Sequence, residues 1–298
     1  MRLNGLRGGA GLVGLCGVVL LAVAGLFACR KGVVGDDGRE GSKGCLAVTI
    51  EPMRFVVEKV AGEAWRVVSV VPEGYNPEDY EPTPQTLVEV ADAKAYLKVG
   101  NLGFEQTWLP KLQEQLPDLR VYDTSEGLRK DEAGMELTTF DPHTWTSPES
   151  MGEVAEAVCR AMCEIDSVDS DVYTHNLQAL QEEIDSVDEQ ILKRLEGLRH
   201  RTFVVGHPVL TYYARQYGLR QLALENHGKG PSLGSMEQLI RACKADSVKV
   251  ILVQAEFNTE SALTLARQIG ARLETFRPLS YDWKGEMLFI ADALGNGK

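Results

Sequence analysis

The chain has 298 residues, of which 44% are hydrophobic and 25% are charged. This length and composition exclude intrinsic disorder, a collagen-like protein and a protein with many membrane spans, and they allow one large or two ordinary domains. The formal net charge is −12, so a nucleic-acid binder, which usually carries a basic face, is disfavoured. Only five histidines accompany 43 acidic residues, so any transition-metal site must be assembled from very few imidazoles.

The first 28 residues are basic at the start and then apolar, which is typical of an export signal. The apolar run is long enough for a transmembrane anchor, so length alone leaves that alternative open. Its ending, Leu26-Phe27-Ala28-Cys29, resembles the lipobox of bacterial lipoproteins, in which the cysteine becomes the lipidated N-terminus. We therefore expect a signal peptide over 1–28 and a lipid anchor at Cys29 that holds the protein on the cell envelope, facing the periplasm or the cell exterior. Residues 29–43 are charged and rich in glycine, which predicts a flexible tether.

Short β-rich runs then alternate with segments of helical period, and this rhythm predicts parallel sheets covered by helices. The predicted strands of the first half are 45–50, 66–71, 95–99 and 119–123, with helices after 50, over 84–93 and over 105–116. The predicted elements of the second half are strands 202–206, 220–224, 249–253 and 272–276, and helices 208–217, 233–245, 258–269 and 285–294.

Between the two halves, residues 167–199 place apolar side chains three and four positions apart, which predicts one long amphipathic helix. A coiled-coil dimer is the alternative interpretation of this pattern. The position between two α/β segments favours a rigid connecting helix. We therefore predict an α/β fold of two lobes, 44–166 and 200–298, joined by the helix 167–199.

Four cysteines follow the proposed lipidation site: Cys45, Cys159, Cys163 and Cys243. Cys159 and Cys163 lie one helical turn apart, where disulfide geometry is poor, and no CxxC pair occurs. Buried thiols are favoured. A disulfide from Cys243 to one of the others stays open, because the expected compartment is oxidising.

Two histidines stand where parallel sheets place their ligands, near the carboxyl ends of strands. His207 directly follows the predicted strand 202–206, and His143 lies in a loop before a helix that Ser147 can cap. The loop 72–84 carries four carboxylates between prolines. Each feature also has an ordinary explanation: a structural hydrogen bond for a histidine, a turn for its loop, and a solvated surface for the acidic loop. Two α/β lobes that face each other at these strand ends form a cleft between them. Of the other histidines, only His227, in a glycine-containing loop, could reach this cleft.

Several short motifs follow one another along the chain. They are Pro72–Pro84, Val99–Leu102 with Glu105, Asp141–Trp145 with Ser147 and Pro148, Val205–His207 with Tyr212, Tyr217–Leu219, Gly228–Lys229 with Pro231, and Pro278–Leu279. Together they resemble the zinc- and manganese-binding solute-binding proteins of bacterial ABC importers over nearly the whole chain after Cys29. The resemblance implies two α/β lobes joined by a rigid helix, a metal ion bound in the cleft, a monomer that partners an ABC permease, and no enzymatic activity.

The family's site usually takes three histidines and one carboxylate. By the resemblance, His143 and His207 occupy two histidine positions, Glu78 replaces the first histidine, and Arg277 replaces the carboxylate. The resemblance therefore implies a divalent site built from His143, His207 and Glu78, and candidates for an extra ligand are Asp282, Glu256 and His227. Zinc is the expected metal, and the oxygen ligand shifts the preference towards manganese or iron.

The replacement at position 277 raises an alternative, because a guanidinium stays protonated and cannot bind a metal. Glu78 and Arg277 could instead form an ion pair across the cleft in place of a metal. In that case the chain would be a binding or adhesion lipoprotein that carries no metal. A hydrolase is disfavoured, because the sequence holds no HExxH and no G-x-S-x-G motif.

Overall fold

The two halves of the chain each contribute a four-stranded parallel sheet. The computed structural model describes residues 42–129, 140–225, 230–257 and 259–295. The strand order is β2-β1-β3-β4 in the first sheet and β6-β5-β7-β8 in the second, and every described strand pair is parallel. The strands are β1 Gly44–Val48, β2 Trp65–Ser69, β3 Ala93–Lys98, β4 Arg120–Asp123, β5 Thr202–Val205, β6 Arg220–Ala223, β7 Val250–Gln254 and β8 Arg272–Phe276.

Helices connect the strands and cover the sheets, which confirms the predicted α/β class. Their bounds are α1 Glu51–Ala61, α2 Pro84–Ala91, α3 Gly103–Thr107, α4 Leu109–Gln115, α5 Pro148–Ile165, α6 Ser170–Leu195, α7 Thr211–Gln216, α8 Leu233–Ala245, α9 Glu260–Ile269 and α10 Trp283–Gly295. Local capping explains some of these starts. The Ser147 side chain accepts from the N–H of Ser150, and Pro148 occupies the first turn of α5.

The predicted helices 105–116 and 208–217 differ from the structure in how they break or begin. The segment 105–116 forms two short helices, α3 and α4, that meet at Trp108, because Pro110 has no N–H to continue the first helix. The predicted helix 208–217 begins only at Thr211. Before that point, the N–H of Leu210 donates to the side chain of Gln221, 2.7 Å away, and so does not enter a helical ladder.

The long amphipathic helix is α6, and it packs against α1, α5 and α10. Its buried residues keep the predicted spacing of threes and fours: Tyr173, Leu180, Ile184, Val187, Ile191 and Leu195. The residues just before it, Ser167–Asp169, form a 3₁₀ turn, so the helix is shorter than the predicted 167–199.

Some predictions concern residues outside the described ranges. These are the signal peptide 1–28, the anchor at Cys29, most of the tether 29–43, and His227. Within the described residues, no helix is both long and apolar enough to cross a membrane. Cys159 and Cys243 are buried free thiols, as predicted, and Cys163 is a half-buried free thiol.

Candidate metal centre

The first imidazole is fixed by a buried loop and a carboxylate. His143 is 8% exposed and precedes the 3₁₀ turn that leads into α5. Its Nδ1 lies 2.7 Å from Oδ1 of Asp141, and the same oxygen accepts from the backbone N–H of His143. Burial raises the pKa of Asp141, but the hydrogen bonds from His143 and Thr211 outweigh it and bring the pKa below its usual value. Asp141 is therefore an anionic partner that directs Nε2 of His143 away from itself.

The second imidazole stands at the carboxyl end of β5. His207 follows the strand by two residues, and its ring stacks on Phe257 with centroids 5.6 Å apart and planes 9° from parallel. Burial, followed by the neighbouring His143, lowers the pKa of His207 to about 4. The ring is therefore neutral at physiological pH, which is the form that binds a metal.

The two predicted histidines come together in the structure. Their ring centroids are 5.2 Å apart and their planes are inclined by 73°. Two imidazoles that share one tetrahedral zinc, with Zn–N distances of ~2.0–2.1 Å, have ring centres roughly 5 Å apart. The observed separation is therefore compatible with one metal ion bound between the rings.

The loop of His143 is tied to the second half of the chain by buried hydrogen bonds. The indole N–H of Trp145 donates to the carbonyl of Pro278, and the indole N–H of Trp283 donates to the carbonyl of Trp145, both at 2.7 Å. The hydroxyl of Tyr212 also donates to the carbonyl of Asp141 at 2.9 Å. His143 is thereby held beside His207, although it precedes the connecting helix in sequence.

The structure does not bring the predicted carboxylates into one group with the histidines. Glu78 is exposed, and its Oε2 accepts from the N–H of Gly103 at 3.2 Å. Asp282 is exposed as well and accepts from the N–H of Gly285. Glu256 is half-buried, and its Oε2 is buried without a hydrogen-bond partner. In the described ranges, no three or more histidine, cysteine, aspartate or glutamate side chains are grouped so as to hold a metal ion.

The sequence left open, as an alternative to a metal site, an ion pair between Glu78 and Arg277. The ion pairs of the described residues include none between Glu78 and Arg277. The Arg277 charge instead interacts with Glu256 and Glu286, and it lowers the pKa of each of these acids against the larger effect of their burial. Both acids lie in the same half of the chain as Arg277, so nearby partners replace the predicted long-range one.

Sequence reasoning missed the groups that surround the imidazoles. It did not assign Asp141 a role, although this residue stands two positions before His143, where its side chain can reach the ring. It also missed Phe257 and Glu225, whose Oε2 lies 3.5 Å from Nδ1 of His207. The signal for Glu225 is the strand register: Val205 pairs with Ala223, so residues 207 and 225 each follow their strand by two positions.

Comparison with known proteins agrees with the family resemblance seen in the sequence. A family model described as "ZnuA: Zinc-uptake complex component A periplasmic" matches residues 46–291. The high-affinity zinc uptake system protein ZnuA of Bacillus subtilis is 24% identical over 282 residues, which cover 88% of each chain. The manganese-binding lipoprotein MntA of Halalkalibacterium halodurans is 25% identical over 263 residues, or 86% of each chain.

A solved structure shares both the fold and part of the sequence. The crystal structure of ZnuA superposes with a TM-score of 0.78 at 34% identity and covers 85% of this chain and 98% of its own. The family match alone spans well over half of the chain. The chain therefore belongs to the ZnuA family, the metal-binding periplasmic components of ABC uptake systems, and it is a binding protein and not an enzyme.

Proposed function

We propose that this chain captures a divalent transition-metal ion outside the cytoplasm, between His143 and His207, and delivers it to the permease of an ABC importer. One observation carries the proposal. Each imidazole turns Nδ1 towards a carboxylate, Asp141 at 2.7 Å and Glu225 at 3.5 Å, and this leaves the two Nε2 atoms for a shared ion. This is the usual arrangement around metal-bound histidines.

Zinc is the proposed cargo, because imidazole nitrogens suit it well. Relatives named for zinc, manganese and iron all match this chain, so these three ions are the ones to compare. Glu256 is the carboxylate we propose as a third ligand, because its buried Oε2 has no hydrogen-bond partner among the described residues. Glu78 and Asp282 are less suited, since each already accepts a backbone hydrogen bond.

The test is metal binding by the metal-free chain without its signal peptide. We expect one equivalent of zinc in titration calorimetry, and losses of at least about 100-fold in affinity for His143→Ala and His207→Ala, since each removes one metal ligand. His175→Ala, at an exposed position on α6, is the matched control and should bind like the parent. If the parent retains no zinc, manganese or iron after loading and desalting, or if both alanine variants bind like the parent, the proposal fails.

We also propose that the protein is held on the membrane through lipidated Cys29. The proposal rests on the sequence of residues 1–29, with its basic start, apolar run and Ala28-Cys29 ending. In cells given a labelled fatty acid, the parent should carry label and sediment with membranes, and Cys29→Ala should do neither. Equal labelling of both proteins would contradict the anchor.

A further inference from the structure

Glu225 is brought to His207 by the register of two neighbouring strands. β5 and β6 pair in parallel with Val205 opposite Ala223, and the ladder continues beyond them. The N–H of Leu224 donates to the carbonyl of Val205 at 2.9 Å, and the N–H of Glu225 donates to the carbonyl of Gly206 at 3.0 Å. The contact therefore depends on backbone pairing, which fixes where the Glu225 side chain starts.

The imidazole of His207 lacks the partner that the other imidazole has. Its Nδ1 is buried without a hydrogen-bond partner among the described residues, and Oε2 of Glu225 lies 3.5 Å away. That separation exceeds a hydrogen bond of about 2.7–3.2 Å by only a few tenths of an ångström. At His143 the equivalent distance to Asp141 is 2.7 Å.

Phe257 leaves the ring of His207 little freedom to turn. The two rings stack within 9° of parallel, so rotation of the imidazole out of this plane would break the contact. Within this plane, one variable is which ring nitrogen carries the proton. An imidazole that binds a metal through one nitrogen carries its proton on the other, and the neighbour of Nδ1 decides which nitrogen that is.

A cavity gives the carboxylate room to complete this contact. It has a volume of about 150 Å³, and residues of the β5, β6 and β7 ends line it, including Gly206, Glu225 and Gln254. Phe257 lines the cavity as well as stacking on His207. The movement required of Glu225 Oε2 is smaller than one atomic radius, so a change of its side-chain torsions is sufficient.

We propose that Glu225 is a positioning residue that holds the proton of His207 on Nδ1 and so keeps Nε2 open to the metal. This inference rests on the proposed metal-binding function and assigns a role to a residue outside the ligand set. Metal binding at Nε2 makes the Nδ1 proton a stronger donor, so we expect the contact to shorten to hydrogen-bond length in the loaded protein.

Two measurements on Glu225→Ala and Glu225→Gln test the proposal. In the metal-free protein, ¹⁵N NMR of the imidazoles should show His207 protonated on Nδ1 in the parent and shifted towards Nε2 protonation in Glu225→Ala. Zinc affinity should fall by about 10–100-fold in Glu225→Ala, the range found for such partners. Glu225→Gln keeps an acceptor oxygen and should recover most of the affinity.

Controls separate this role from others. Glu237→Ala changes an exposed acid on α8 and should alter neither the tautomer nor the affinity. A parent that binds no metal would refute the proposed function, yet the tautomer measurement would still test Glu225. An unchanged tautomer in Glu225→Ala, unchanged affinity, or a loss in Glu225→Gln as large as in Glu225→Ala would overturn the proposal, the last because it would make Glu225 a metal ligand.

Discussion

The buried indole of Trp145 should be one of the most sensitive positions in the chain. Trp145 is 1% exposed, and its N–H donates to the carbonyl of Pro278, which is also buried. In Trp145→Phe that carbonyl would lose its donor, which costs about 1–3 kcal/mol. The smaller phenyl ring also leaves a void. We assign this void a cost of about 1 kcal/mol, because complete truncation of a buried tryptophan to alanine costs about 3–5 kcal/mol. We expect a total loss of about 2–4 kcal/mol in the free energy of unfolding.

Urea unfolding followed by far-ultraviolet circular dichroism measures this loss without depending on tryptophan fluorescence. The matched control is Trp108→Phe, at a half-buried ring that stacks on Phe104, and it should cost under about 1 kcal/mol. Because Trp283 donates to the carbonyl of Trp145, the double variant with Trp283→Phe should depart from additivity by at least about 0.5 kcal/mol. A loss at Trp145 no larger than at Trp108 would refute the reasoning that this hydrogen bond joins the two halves.

Three further predictions concern the loop after β3 and its partners. Gly100 has φ +108°, and a Cβ there would lie 2.1 Å from Oγ of Ser125, so Gly100→Ala should lower the urea midpoint by the equivalent of about 3 kcal/mol or more. Glu105 is 4% exposed and its carboxylate accepts several hydrogen bonds, including one at 2.7 Å from the N–H of Gly100, so Glu105→Gln should cost about 2–4 kcal/mol in the same assay. Burial raises the pKa of Asp123, but hydrogen bonds from Ser125 and Lys98 together lower it below the ordinary 3.8. The carboxylate therefore stabilises the fold above that pH, and the deficit of Asp123→Asn, about 1–2 kcal/mol at pH 7, should shrink as the pH falls below 3.8; a deficit that does not change with pH would contradict this.

Local signals explain which elements could be predicted from the sequence. The helix 233–245 has the predicted bounds, since Ser232 accepts from the N–H of Ser235 and marks its start. The strand 272–276 is equally local, because Leu273, Thr275 and Phe276 follow a turn at Gly270. The break at Trp108 was missed because the apolar spacing of 105–116 continues through it, although Pro110 was the available signal.

The candidate site also contains some residues that the sequence could predict and others that it could not. Strand ends and the family resemblance predicted His143 and His207, and the structure places these rings side by side. The pairing of Glu78 with Arg277 failed because it required contact between distant segments, and a nearer donor, the N–H of Gly103, was available to Glu78. Contacts set by tertiary packing leave no pattern in a single sequence, whereas Glu225 could have been found from the expected register of parallel strands.

The attachment of the His143 loop explains why only two predicted ligands meet. In this loop the indole of Trp145 and the hydroxyl of Thr146 donate to buried carbonyls of the second half. The hydroxyl of Tyr212, from the second half, donates to the carbonyl of Asp141 in the loop. Both imidazoles thus belong to one packed block, and Glu78 lies on a separate exposed loop of the first half. Opening or closing of that first-half loop would leave the two imidazoles in place, because breaking their block requires several buried hydrogen bonds to break together. Capture and release of the ion should therefore depend on the remaining ligands, which the described residues do not hold in one preformed group with the histidines.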